Sequence, residues 1–224
     1  SPLEDHVWQI DAYRNTGRYG WHLTSIGDFN NDSYPDMAFL SRGHSRTDVS
    51  SVSEPGDCTF KGSGAVYIHL GSASGLSPTP AFRIQAPTGY NYLTGVAGDF
   101  DFDGDGYDDI VLTNYSWDGS GGFVLVQGRD ASNTGEILGL CDGLHILGQQ
   151  GDEDLGFAVS PLGDIDGDNR DELVITAKDQ NEGISRQGLV WVLWGTPSPK
   201  TQLYSTALGS QKVNSYLGTA AAGG

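Results

Sequence analysis

The stretch GDFDFDGDGYDDI, Gly98 to Ile110, places six aspartates in thirteen positions. Carboxylates this close repel one another, and each resists ionising beside its neighbours unless a positive charge lies among them. Two further stretches share the spacing: GDFNNDSYPDM from Gly27 and GDIDGDNRDEL from Gly163. Each reads D-x-[DN]-x-D-x-x-x-[DE] and then runs into an apolar segment. Nearly half of the 29 acidic residues of the chain fall in these three clusters. Three copies in register are not the solvated acidic turns that a single copy would suggest.

The surroundings repeat too. A small-residue run precedes each loop (YGWHLTSIG, NYLTGVAG, LGFAVSPLG), and a fourth such run, YLGTAAAGG, ends the chain. Short Val/Ile/Leu-rich runs follow the loops: DMAFLS, DIVLTN and ELVITA, then VYIHLGS, FVLVQGR and VWVLWGT, each of the latter closing on a turn glycine. A weaker third run follows: AFRIQA, LHILG and QLYST. With the segment before the loop, that gives four short strands per period, and no sustained 3.6-residue stripe marks a helix. Periods of this size mean a stacked or radial repeat, and four strands per unit is a propeller blade. The expected fold is an all-β propeller of four-stranded blades. Blades fall at about 19–86, 91–148 and 155–206, with an outer strand of a preceding blade at 6–12 and the start of a further one at 215–224.

The ligand types choose the metal. Positions 1, 3, 5 and 9 of each loop are hard oxygen donors, with a backbone carbonyl available at position 7, which selects Ca²⁺ or Mg²⁺ over zinc or copper. A carboxylate-rich, flexible site suits Ca²⁺ better. The expected ligands are Asp28, Asn30, Asp32, Tyr34 and Asp36 in loop one. Loop two offers Asp101, Asp103, Asp105, Tyr107 and Asp109, and loop three Asp164, Asp166, Asp168, Arg170 and Glu172. In loop two, Asp99 competes with Asp101 for position 1; Asp101 is preferred because it keeps Asp109 at position 9, and Asp108 then lies outside the ligand register. An EF-hand would need a bidentate Glu at position 12, where Phe39, Leu112 and Ile175 stand.

The aromatic-glycine or Leu-Gly pair, the small-residue run and the D-x-[DN]-x-D loop together resemble the FG-GAP repeat of integrin α subunits and many bacterial surface proteins. The resemblance implies Ca²⁺ in the loop between the first and second strands of each blade. It also implies closure with about seven blades, so that this chain would be a piece of a larger propeller. Two departures are visible: loop two carries two extra residues, so that Asp99 falls where the other copies have their first ligand, and loop one has Ser33 where glycine is usual, with Pro35 close by. The function implied is an extracellular or cell-surface module for adhesion or protein-ligand binding, with structural calcium. A carbohydrate-binding propeller is the alternative.

Other chemistry is weak. The formal charge of -17 and pI of about 4.3 argue against nucleic acid, and no apolar run approaches the roughly 18 residues of a membrane span. GSASG at 71–75 puts Ala73 at the nucleophile position of an esterase elbow, and the five histidines lack ligand spacing. No enzyme activity is expected. Asn31 and Asn114 head N-x-S sequons. Loops after strands two and four lie on the face opposite the calcium loops, where a protein or glycan ligand is expected. Arg46, Tyr115, Trp117 and Arg186 are the anchor candidates there, by the enrichment of Trp, Tyr and Arg at hot spots. Cys58 and Cys141 are placed on opposite faces, too far apart for a disulfide. Open propeller edges predict self-association.

Overall fold

The computed structural model describes residues 19–42, 64–85, 93–134, 136–138, 143–148, 154–179, 188–198 and 204–209. The strand expected at 6–12, the blade start at 215–224, Arg46, Arg186, Cys58 and Cys141 lie outside them.

The described residues form an all-β architecture of three sheets. The first contains β1 (His22–Ser25), β2 (Met37–Ser41), β3 (Ala65–His69) and β4 (Phe82–Gln85), hydrogen-bonded in chain order as an antiparallel meander. The second consists of β5 (Gly95–Ala97), β6 (Ile110–Asn114), β7 (Gly122–Val126) and β9 (Leu144–Leu147). The third consists of β10 (Leu155–Gly163), β11 (Glu172–Ala177), β12 (Leu189–Trp194) and β13 (Tyr204–Gly209). Helix is confined to 3₁₀ turns at Trp117–Gly119 and Ala131–Asn133 among the described residues.

The sequence of β6, IVLTN, is β-branched and apolar without polar alternation because both of its faces are covered. Ile110 and Leu112 join Ala38, Leu40, Val66 and Ile68 in a core between the first two sheets. Val111, from the other face, joins Phe123, Leu125, Leu173 and Ile175 in a second core between the last two. Each sheet therefore stacks on the next through a dry apolar layer, the arrangement of adjacent propeller blades.

One strand has no counterpart in the sequence reading. β8 (Glu136–Leu138) lies in the connection from β7 to β9 but pairs, parallel, with β4 of the first blade, Phe82 opposite Glu136 and Ile84 opposite Leu138. It covers what would otherwise be an open edge. Three residues, EIL, carry no periodicity by which to recognise it.

The antiparallel registers put the loops after first and third strands at one end of each blade. Gly71, Gly128 and Gly195, just past the third strands, thus lie beside the acidic loops.

Candidate metal centres

The three loops share one backbone cage. Position 1 is a carboxylate that gathers the amides ahead of it. Asp28 accepts from Asp32 and Ser33 (2.8 and 2.6 Å). Asp101 accepts from Gly104, Asp105 and Gly106 (2.8, 3.1 and 2.9 Å), and Asp164 from Gly167, Asp168 and Asn169 (2.7, 3.1 and 2.9 Å). Position 5 then accepts from the amide of position 7: Asp32 from Tyr34, Asp105 from Tyr107 and Asp168 from Arg170. In loop two the carboxylate that gathers these amides is that of Asp101 rather than Asp99. The turn needs positive φ at positions 4 and 6, which glycine adopts freely in Gly104, Gly106 and Gly167. In loop one Asn31 (φ 55°) and Ser33 (φ 72°) are held there instead, and Ser33 is the costlier of the two.

Position 9 closes the cage from below. Asp109 is fully buried and accepts from the amides of Phe102 (3.0 Å) and Gly128 (2.8 Å). Glu172 accepts from Ile165 (2.9 Å) and Gly195 (3.3 Å), and Asp36 from Gly71 (2.7 Å). Glycine is required at these three donors, because a Cβ on Gly128 would lie 2.5 Å from the Asp108 carbonyl oxygen and one on Gly71 2.3 Å from that of Pro35. The sequence showed them only as turn glycines after the third strands.

The oxygens converge. Single carboxylate oxygens of Asp101, Asp103 and Asp109 lie within 4.8 Å of one another, and so do those of Asp164, Asp166 and Glu172. In loop one the Asn30 Oδ1 and Asp36 Oδ2 atoms are buried with no hydrogen-bond partner. A buried orphan carboxylate oxygen is costly without a counter-charge, and a hard cation supplies one. Burial pushes Asp109 up to about 8 and Asp36 up to about 6, and raises Asp103 and Glu172 as well. Asp164, exposed, is instead held below its usual value by the amide of Asn169. The donor set thus fits an oxygen-seeking divalent cation.

Some neighbours were not visible in the sequence. Gln127 donates to Asp103, and Arg170 pairs with the Asp168 carboxylate, bringing a positive charge into loop three. Asp108, outside the ligand set, is not idle: it accepts from the Asp28 amide of the neighbouring blade (2.5 Å).

The anchor candidates separate. Trp117 is 0% exposed, so it presents no surface to a partner and that expectation is corrected. Its 3₁₀ turn tucks the indole into the first core, edge-on to His145 (5.2 Å, 89°). Tyr115 is half-buried, 5.4 Å from the Phe157 ring and 5.9 Å from the Lys178 ammonium. Asn114 is fully buried and its side chain accepts from Ser116, which closes that sequon to a glycan in the folded chain.

Comparison with known proteins agrees with the cage. Residues 155–193, covering β10 to β12 and loop three, match the FG-GAP repeat. Over that stretch the chain is similar to an FG-GAP repeat. It is 32% identical over 102 residues to integrin alpha-PS5 of Drosophila melanogaster, covering 42% of this chain and 8% of that protein. With integrin alpha-IIb of Mus musculus it shares 32% over 101 residues, 44% of this chain and 8% of the relative. With phosphatidylinositol-glycan-specific phospholipase D of Rattus norvegicus it shares 33% over 106 residues, covering 47% of this chain and 11% of that protein. The chain therefore spans about a tenth or less of the length of these relatives. No helix among the described residues is long and apolar enough to cross a membrane.

Proposed function

We propose that this chain is an extracellular, Ca²⁺-binding region of an FG-GAP propeller that serves cell adhesion or protein-ligand binding, its calcium ions structural. The observation that carries the calcium reading is the pair of orphaned, buried oxygens in loop one, Asn30 Oδ1 and Asp36 Oδ2, inside a cage built the same way in all three loops. The ions would be held by Asp28, Asn30, Asp32 and Asp36; by Asp101, Asp103, Asp105 and Asp109; and by Asp164, Asp166, Asp168 and Glu172, with carbonyls of Tyr34, Tyr107 and Arg170 completing each shell. Ca²⁺ supplies the positive charge that lets these carboxylates ionise together. The loop residues orient one another through the amide contacts above, and position 9 ties each ion to the end of the third strand.

The adhesive role rests on the likeness to integrin alpha chains, which covers 42% and 44% of this chain in the two integrins named above. On this reading the aspartates serve metal ligation rather than catalysis. Partner binding is placed on the face away from the calcium loops, with Tyr115 as the remaining described anchor candidate. A glycan reading needs exposed aromatics there, and the burial of Trp117 weighs against it.

Mass spectrometry under native conditions tests the metal reading: three Ca²⁺ per chain are expected, and none would contradict it. A surface coated with the chain should retain cells in calcium and release them in EDTA. Metal uptake without any attachment would contradict the adhesive role alone.

A further inference from the structure

Each of the two blade junctions carries the same three-bond staple, and it runs from one acidic loop into the next. At the first, the Asp108 amide donates to the Asp28 carbonyl (3.2 Å), its carboxylate accepts from the Asp28 amide (2.5 Å), and the Arg129 amide donates to the Phe29 carbonyl (2.9 Å). At the second, the Asp171 amide donates to the Asp101 carbonyl (2.9 Å), its carboxylate accepts from the Asp101 amide (2.9 Å), and the Thr196 amide donates to the Phe102 carbonyl (2.9 Å). Asp108 and Asp171 both stand at position 8, covalently between the position 7 and position 9 donors of their own loop. Asp28 and Asp101 both stand at position 1 of the loop before. Phe29 and Phe102, beside the stapled residues, are wholly buried at these junctions, whereas Ile165 at the same position of loop three is 54% exposed.

We propose that Asp108 and Asp171 are positioning residues that couple the cation sites of successive blades. The inference rests on the calcium reading above. An ion in loop three fixes Arg170 and Glu172 and so fixes Asp171 between them. Asp171 in turn holds the backbone of Asp101, the residue whose carboxylate organises loop two. Asp108 passes the same constraint from loop two to Asp28 of loop one. Coupling between binding sites is reciprocal, so each ion strengthens its neighbour in both directions. Loop one has Pro35 at position 8, with neither carboxylate nor N–H, so the relay ends at the first blade.

Terbium luminescence can be resolved by loop, because Tyr34 and Tyr107 sit at position 7 of loops one and two while loop three has Arg170 there. In the full chain carrying Tyr34→Phe, the part of the emission that a further Tyr107→Phe removes reports loop two, apart from any sensitised by tryptophan. Disabling loop three with Asp166→Ala should weaken terbium binding at loop two about fivefold or more, the lower end of ordinary coupling. In an Asp171→Ala background the same substitution should leave loop two unchanged. Asp171→Asn keeps an accepting oxygen and should restore the dependence, which separates coupling from simple loss of folding. Terbium binding whose dependence on loop three is absent, or identical with and without Asp171, would overturn the coupling and leave the metal reading standing. No terbium binding at any loop would overturn both.

Discussion

Loops one and two have the same cage and different parts. Loop two has glycine at both left-handed positions, aspartate at position 3, a buried position 9 that accepts two amides, and an aspartate at position 8 reaching the preceding blade. Loop one makes the same turn with Asn31 and Ser33, offers Asn30 at position 3, ties Asp36 mainly to one amide, and has Pro35 at position 8. The shared backbone shows that the spacing of the aspartates sets the cage. The differing side chains set how tightly it holds an ion and to what it is fastened.

The largest effect expected of that difference is at position 9. Asp109→Ala removes a proposed metal ligand and strands two buried amides, at about 1–3 kcal/mol each. Asp36→Ala strands the Gly71 amide, with the Phe29 amide a weaker second contact. Urea unfolding should show a clearly greater loss for the Asp109 variant; equal losses would mean that the second amide contact is immaterial. Next comes affinity. Four acidic side chains against three should make loop two the tighter site, and Asn30→Asp should narrow the gap in a calorimetric titration. Asp103→Ala should widen it the other way.

Acidity offers a third comparison. Burial raises Asp109 to about 8 and Asp36 to about 6 in the metal-free chain. The folded state then holds protons that the unfolded chain, with carboxylates near 4, has released. The stability these two groups contribute is full below about pH 4 and is lost as pH rises, through about 6 for Asp36 and about 8 for Asp109. In EDTA the protein should therefore lose stability between pH 5 and 8, with the loss above pH 6 belonging to loop two. Calcium should flatten that slope by replacing the proton. A metal-free protein that instead gains stability over this range would contradict the burial argument. The smallest effect is at position 6: Ser33→Gly should relieve left-handed strain and stabilise loop one by about 1 kcal/mol in urea unfolding, while Gly106→Ser should cost a similar amount.

The cage was legible in the sequence because it is local. Nine consecutive residues supply its spacing, and the strands that follow announce themselves through β-branched runs repeated at similar intervals. The register choice of Asp101 over Asp99 needed only Asp109. What the sequence hid was non-local. Asp108 looks like one more acid in an acidic row, because its partner, the Asp28 amide, is 80 residues away. Trp117 resembles a surface anchor in a glycine-rich turn; its burial depends on the neighbouring sheet, which leaves no periodic trace. β8 is three residues long and belongs, by pairing, to another blade.

On the calcium reading, the folded state depends on cations held by these loops. Scanning calorimetry of the metal-free chain, repeated with added Ca²⁺ at about 100 times Kd, tests it directly. Each site should add roughly 2.7 kcal/mol, so EDTA should lower the melting temperature and calcium restore it, with the rise diminished in Asp103→Ala. A melting temperature indifferent to both EDTA and calcium, with no metal found by elemental analysis, would contradict the account.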